Sequence, residues 1–216
     1  MAAFQGTKTL ENVRDDIRKI LHAKDRQTYP YGHAGTSLSQ LTLDIFSSDV
    51  KISKSQDTCT SCNFSKPAVD DNLGCVFVMD NTSLKSTSHT LNNSAKPSVE
   101  KCPECQSEMT STVHYVHFPG MILFDHSAYN IKPSKYLKCT SIGNNNTIRY
   151  RLRGLLCFGN FHFTSRIISP EGDVWYHDGM DMGSETKSEG HRKLMKDRDW
   201  QTCLGRKLVM SIYVKV

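Results

Sequence analysis

The chain has 216 residues, of which 38% are hydrophobic and 23% charged, and its formal net charge is +5. This composition supports one folded domain, or one domain with an appendage, and excludes a chain that is disordered throughout. No apolar run reaches the length of a membrane span and the first residues lack the features of a secretory signal, so we expect an intracellular protein of the cytoplasm or nucleus with no membrane partner.

Two amphipathic segments open the chain. Apolar side chains recur at helical spacing over residues 8–25, and a shorter helix is predicted for about residues 36–47. From about residue 50 the pattern favours strands, predicted at 50–57, 73–79, 111–118, 121–125, 147–157, 161–168, 173–177 and 206–214. The polar residues 81–100 and 179–200 are predicted as a mobile loop and a long connection. Helices followed by a mostly antiparallel sheet indicate the α+β class.

Two of the cysteine pairs share the spacing Cys-x-x-Cys. They are Cys59 with Cys62 and Cys102 with Cys105, among eight cysteines in all. Four thiolates from two such pairs complete the closed tetrahedral shell of a structural Zn²⁺, and in a reducing compartment this pattern favours metal over disulfides. The polar insert of 39 residues between the pairs favours a finger-like extension. A zinc ribbon that binds nucleic acid is the alternative.

The other four cysteines have weaker claims to a metal. Cys75 and Cys157 lie inside apolar strands and are predicted to be buried packing residues. Cys139 follows a strand-like segment and is ambiguous. Cys203 precedes the final strand and is also expected to pack.

Basic residues are spread along the chain rather than clustered. Arg149, Arg151 and Arg153 alternate on one predicted strand, which is typical of a solvated face. Because the charge is scattered, we do not expect a nucleic-acid partner.

A predicted hairpin brings a histidine and an aspartate together. Its turn lies between Ile168 and Asp173, with His162 six residues before the first and Asp178 five residues after the second. The two side chains therefore become cross-strand neighbours. A carboxylate beside an imidazole fixes its tautomer and supports the imidazolium formed when the histidine takes a thiol proton. By spacing alone, a structural histidine remains the commoner alternative.

This part of the chain resembles the ubiquitin-specific peptidases. The matching segments are Tyr150-x-Leu152-x-Gly154-Leu155-Leu156, His162-Phe163-Thr164 and Trp175-Tyr176-His177-Asp178. Upstream, the two cysteine pairs and the run from Val116 to Phe124, which contains Pro119, follow in the family's order. The resemblance covers roughly residues 50–180, and the compact loop before His162 is similar to the branch that includes SUMO-specific members.

The resemblance implies a papain-like α+β fold of palm, thumb and fingers. Residues 1–49 would form a partial thumb, about 50–118 the zinc-bearing fingers and about 119–216 the palm. It also implies that His162 is the general base and acid, that Asp178 orients it, and that the four paired cysteines hold structural zinc. The implied activity is thiol-dependent hydrolysis of conjugates of ubiquitin or SUMO.

Two departures from the family concern the site. The family's nucleophilic cysteine lies near the start of the domain, but residues 1–58 contain no cysteine. The chain is therefore a truncated peptidase, a non-catalytic module that binds a ubiquitin-like protein, or an enzyme in which another cysteine serves, with Cys203 as the candidate. Phe161 also stands where the family has glycine before the histidine, which predicts a narrower or differently shaped channel for a substrate tail.

Overall fold

The computed structural model describes residues 10–32, 36–46, 53–71, 76–78, 85–92, 95–128, 131–140 and 147–216. The chain divides into two compact units, Met1–Ile45 and Phe46–Val216, which are treated separately below. Within the described ranges, no helix is both long enough and apolar enough to cross a membrane.

The first unit is built from two helices, α1 (Leu10–Lys24) and α2 (Leu38–Phe46), close to the predicted ranges. Asp25 ends α1, because its carboxylate accepts hydrogen bonds from the two main-chain amides that follow in the turn. An ion pair of 2.8 Å joins Lys24 to Asp44 and so links the helices. On the apolar stripe of α1, Leu21 is buried whereas Ile20 is exposed.

The second unit is mostly antiparallel sheet with few helices. In chain order its elements are β1 (Ser53–Cys59), β2 (Val69–Asp71), β3 (Val76–Val78), α3 (Thr87–Asn92), β4 (Ala95–Lys101), β5 (Glu108–Tyr115), β6 (Met121–Asp125), β7 (Tyr136–Thr140), β8 (Thr147–Gly159), β9 (His162–Ile168), β10 (Asp173–His177), β11 (Lys187–His191), a 3-10 helix (Asp197–Trp200), β12 (Thr202–Cys203) and β13 (Arg206–Lys215). The small sheet has the order β2-β1-β5-β4. The large sheet has the order β11-β10-β9-β8-β13-β6-β3, with β7 on β8 and β12 on β13. Of the pairings described, β3 with β6 is parallel.

The prediction of a mobile loop over residues 81–100 is wrong where the structure describes them, because α3 and β4 lie there. Ser86 caps α3 by accepting the amide of His89 at 3.2 Å. Thr87 is buried with its Oγ1 2.8 Å from the Tyr213 hydroxyl, and Leu91 joins the core. Serine and threonine side chains thus have specific partners in a segment whose composition is typical of a loop.

Residues 179–200 are also more ordered than predicted, since they hold β11 and the 3-10 helix. The strand β11 forms the end of the large sheet beside β10. Trp200 closes the helix and is 1% exposed within the core. The buried indole, with Met182 and Met195 packed against the same cluster, therefore anchors a mostly polar connection.

A β-bulge in β8 shifts the alternation of its side chains between the two faces of the large sheet. Leu152 pairs with Tyr213 and Gly154 with Ile212, so Arg153 is the extra residue. Before the bulge Tyr150 and Leu152 are buried, and after it the buried residues are Leu155 and Cys157. The alternation therefore shifts by one residue while the apolar side chains stay on the core face.

A buried histidine after β6 predicts acid sensitivity. His126 is 3% exposed, and its Nε2 lies 2.8 Å from Ser211 Oγ. Burial lowers the pKa of His126 from 6.5 to about 4, against the opposing charge of Asp125. Because the unfolded imidazole takes up its proton at a higher pH than the folded one, the unfolded state binds more protons between these values. We expect the free energy of unfolding to fall by about 3 kcal/mol as the pH drops from 6.5 to 4.

Urea titrations at successive pH values measure this loss. The variant His126→Gln keeps a polar partner for Ser211 but does not titrate, so its stability should change much less across the window. Equal losses in both proteins would show that another group causes the acid sensitivity.

Candidate metal centre and histidine–aspartate site

Two turns of the same shape bring the four paired cysteines together. In the first, the amide of Cys59 donates to the carbonyl of Phe64 at 2.8 Å, and in the second the amide of Cys102 donates to the carbonyl of Ser107 at 2.9 Å. Both turns have a positive φ of 61° directly after their second cysteine, at Asn63 and Gln106. The repeated Cys-x-x-Cys spacing thus corresponds to a repeated backbone conformation.

The four sulphurs fit a single tetrahedral metal ion. All four lie within 4.8 Å of one another, with sulphur–sulphur distances of 3.5 Å for Cys59 to Cys105 and 3.6 Å for Cys62 to both Cys102 and Cys105. A tetrahedron with metal–sulphur bonds of about 2.3 Å has edges of roughly 3.8 Å. Cys59 and Cys102 are buried beside Met109 and Phe64. These thiols can therefore hold a metal ion that ties together the ends of β1, β4 and β5.

The His162 side chain lies at the start of β9, directly after the turn from β8. Its Nε2 is 2.5 Å from Asp178 Oδ1, and its side chain is 17% exposed. In the β9–β10 register Ser165 faces His177, so Asp178 lies diagonally across from His162. With Nε2–H donated to the carboxylate, Nδ1 is left as the proton acceptor of the ring.

The Asp178 carboxylate is held from several directions. It is 2% exposed and accepts the amides of Met180 at 3.1 Å and Asp181 at 3.4 Å, while the Tyr176 hydroxyl donates to Oδ2 at 3.3 Å. Burial opposes its ionisation, but the hydrogen bonds from His162 and the amides hold the pKa of Asp178 below its usual value. The carboxylate is therefore ionised and fixed in the orientation that the imidazole needs.

The sequence reasoning missed Arg206 as a neighbour of this pair. Its Nη2 lies 3.7 Å from Asp178 Oδ2. A Cβ on Gly159 would come within 3.1 Å of the Arg206 side chain, so the glycine leaves space for the arginine to approach. Arg206 lies on β13 and meets Asp178 only in the folded chain, so no local motif predicts this contact.

The prediction that Cys157 and Cys203 are separate packing residues is wrong in one respect. Both are buried, as expected, but they form a disulfide that joins β12 to β8 with Cα atoms 5.9 Å apart. Metal ligation is therefore not the sole use of cysteine in this chain. The bond also removes the free thiol that Cys203 would need as a substitute nucleophile.

No cysteine in the described part of the chain donates a hydrogen bond to His162. Cys139 is a free thiol, but it is 3% exposed within the core, where burial raises its pKa to about 12. Cys75 lies outside the described residues. The structure therefore brings the predicted base and its carboxylate together without placing a described thiol beside them.

The turn before His162 holds a bulky residue in a glycine-like conformation. Gly159 pairs with His162, and the two residues between them, Asn160 and Phe161, have φ values of 54° and 58°. This is the geometry of a type I′ hairpin turn, which favours Asn followed by Gly. Phe161 is fully exposed, so its ring packs on nothing that would compensate for the strain. We expect Phe161→Gly to raise the free energy of unfolding by about 0.5–1 kcal/mol.

The variant Phe161→Ala is the matched control, measured in the same chemical denaturation series. It removes the ring but keeps Cβ, so its stability should stay near that of the unchanged chain. If alanine stabilises as much as glycine, the exposed ring rather than the backbone conformation is the cause.

No protein-family model and no curated protein matches this chain. Solved structures do match, and a SAGA DUB (deubiquitinase) module of Ubp8, Sgf11, Sus1 and Sgf73 bound to monoubiquitin aligns with a TM-score of 0.52 and 14% identity, over 76% of this chain and 40% of that chain.

Two related structures give the same result. A yeast SAGA DUB module with an Sgf73 mutant matches with a TM-score of 0.54 and 12% identity over 84% of this chain and 46% of that chain. A Ubp8, Sgf11, Sus1 and Sgf73 module with a shortened Sgf11 matches with a TM-score of 0.56 and 13% identity over 95% and 50%. The chain thus spans 40–50% of these three matched chains, and it has a fold like that of a ubiquitin-specific peptidase.

Proposed function

We propose that this chain is a ubiquitin-specific-peptidase-like domain that binds ubiquitin or a ubiquitin-like protein such as SUMO. The observation that carries the proposal is the hydrogen-bonded pair of His162 and Asp178 on a fold like that of the SAGA DUB modules. One of those modules is bound to monoubiquitin and another to ubiquitin aldehyde. These occupants motivate ubiquitin as the first ligand to test.

The four-cysteine site would hold a structural Zn²⁺. Its donor set consists of thiolates alone, which suits zinc and leaves no open position for a substrate. The ion would stabilise the small sheet, whose described core is limited to Cys59, Cys102, Met109 and Phe64. Its contribution to function would be to keep a binding surface folded.

The His162–Asp178 pair supports the base half of a thiol hydrolase. With Nε2–H on Asp178, Nδ1 would take the proton of a thiol, and the resulting thiolate would attack the carbonyl carbon of the scissile bond. The imidazolium would then return the proton to the leaving amine as the carbon–nitrogen bond breaks. Asp178 would stabilise the imidazolium, and Tyr176 and Arg206 would hold that carboxylate in place.

The thiol is the missing component among the described residues. We therefore propose that the 216-residue chain binds its modifier non-covalently and does not cleave it.

Mass spectrometry after exposure to ubiquitin and SUMO with thiol-reactive C-terminal warheads tests this proposal. The folded, zinc-loaded chain should form no covalent adduct with either probe. An adduct that disappears in His162→Ala would contradict the proposal, and peptide mapping would then identify the activated cysteine. The variant His177→Ala is the control, because that imidazole bonds the carbonyl of Glu185 and not Asp178.

A further inference from the structure

The outer face of the large sheet, opposite the core, carries a row of arginines. Arg149, Arg151 and Arg153 occupy alternate positions of β8, the first two before its bulge and Arg153 as the extra residue of the bulge. Alternate residues of a strand share one face and are about 6.6 Å apart, since each residue rises about 3.3 Å. The register places Lys138 opposite Arg149 and Tyr136 opposite Arg151 on the neighbouring strand β7. This row, with Lys138, is called the arginine row below.

The charge of the arginine row is not neutralised within the described residues. Arg151 donates to the carbonyl of Pro170, and Arg153 donates to the carbonyl of Ile168 at 3.4 Å. Neither these two nor Arg149 forms an ion pair with a described carboxylate. The Nε of Arg151 is buried and has no hydrogen-bond partner among the described residues. Main-chain carbonyls therefore position the guanidinium groups of Arg151 and Arg153 and leave their positive charge available.

Another cation adds to this surface. The Arg192 guanidinium lies 5.0 Å from the centre of the Tyr136 ring, and the Arg151 guanidinium lies 5.9 Å from it. The pKa of Arg153 lies below its ordinary value because burial, and then the charge of Arg151, disfavour its protonated form. The charge of Glu171 raises the pKa of Arg153, but Glu171 is one carboxylate beside several cations.

The same face becomes apolar beyond the bulge. Its exposed members on β8, β9 and β10 are Phe158, Phe163, Ile167 and Trp175, with exposed fractions between 36% and 50%. Ile167 pairs with Gly154 on one side and with Trp175 on the other, so these positions are contiguous across three strands. The rings of Phe158 and Phe163 lie 4.6 Å apart. This set is called the apolar half.

We propose that the arginine row and the apolar half form one docking surface for an extended protein segment whose alternate acidic residues are followed by apolar residues. An extended segment repeats its side chains with the same two-residue period as the row. The planar fork of each guanidinium matches a carboxylate. The apolar residues of the segment cover Ile167 and Trp175 across the bulge.

The distribution of charge favours a protein segment over a nucleic acid. A nucleic-acid strand carries a phosphate at every nucleotide, so it needs cations along its whole track. Here the arginines lie at one end of the docking surface, whereas aliphatic and aromatic side chains occupy the other end. A partner that is charged in one half and apolar in the other matches this division.

The docking surface is distinct from the histidine–aspartate pair. On β9 the buried residues Thr164 and Arg166 alternate with the exposed Phe163 and Ile167. His162 shares the parity of the buried set, so it belongs to the other face of the sheet. The inference therefore goes beyond the proposed function, and either can fail without the other.

Fluorescence anisotropy of the full chain tests the surface with a labelled ten-residue peptide. Glu alternates with Thr in its first half and Leu alternates with Thr in its second half. We expect saturable binding that weakens at least tenfold when Arg149→Glu and Arg153→Glu are combined, and severalfold in Ile167→Thr. A peptide with Lys in place of Glu should not bind.

The control variant combines Lys54→Glu with Lys101→Glu, which changes the net charge equally but places both substitutions at exposed positions of the small sheet, outside the docking surface. Its affinity for the peptide should be unchanged. An equal loss in this control, tighter binding of a ten-nucleotide oligothymidine, or displacement of the peptide by ubiquitin would each overturn the proposal. Arg149→Glu alone, at an exposed position, preserves the test if the double variant does not fold.

Discussion

Replacing Cys102 with Ser is expected to release the metal and unfold the small sheet. Cys102 is fully buried at the point where β4 turns towards β5, and its sulphur lies 3.6 Å from that of Cys62. Structural zinc contributes on the order of 10 kcal/mol in modules of this kind. The described core of the small sheet has few apolar residues to replace that contribution. Bound zinc should fall from one ion per chain to none.

Elemental analysis and amide hydrogen exchange measure the two consequences. Amides of β1 and β5 should lose protection in Cys102→Ser, while those of β8 and β13 keep it. Cys139→Ala is the control, since it removes a cysteine outside the cluster and should leave the zinc content unchanged. A Cys102→Ser protein that keeps both its zinc and its β1 protection would show that this cysteine is not a ligand.

Replacing Arg166 with Met is expected to destabilise the large sheet by about 3–5 kcal/mol. Arg166 is 6% exposed, and its Nε and Nη2 donate to the Glu189 carboxylate at 2.5 and 3.0 Å. Its Nη1 also donates to the carbonyls of Asp199 and Thr202. One guanidinium thus connects β9 to β11, the 3-10 helix and β12. Its loss leaves the carboxylate and two carbonyls without their donor.

Urea denaturation compares this variant with Arg149→Met. Arg149 is exposed on the opposite face of the sheet, so its replacement should change the free energy of unfolding by less than about 0.5 kcal/mol. Combining Arg166→Met with Glu189→Met should recover part of the loss, because it removes the unpaired carboxylate. Equal effects of Arg149→Met and Arg166→Met would show that the buried network adds little to stability.

The features that the sequence predicts well depend on short-range patterns. Each Cys-x-x-Cys turn brings its own two sulphurs together. Only the approach of one turn to the other depends on the fold. The pairing of His162 with Asp178 follows from strand alternation around one turn, and the structure places their side chains 2.5 Å apart. The strands β6 and β10 have the predicted bounds, because apolar alternation and turn residues delimit them.

The features that it misses depend on distant partners. The Cys157–Cys203 bond joins residues 46 positions apart. Arg166 looks like an ordinary surface residue until the fold brings Glu189 to it. No local pattern could have predicted these contacts.

Calorimetric titration of ubiquitin, and separately of SUMO, into the folded, zinc-loaded chain measures whether it binds a ubiquitin-like protein. We expect saturable one-to-one binding of at least one modifier, lost in the zinc-free Cys102→Ser variant but kept in Cys139→Ala. Absence of binding to both modifiers, from protein with a full complement of zinc, would contradict the claim that this chain is a domain for binding ubiquitin-like proteins.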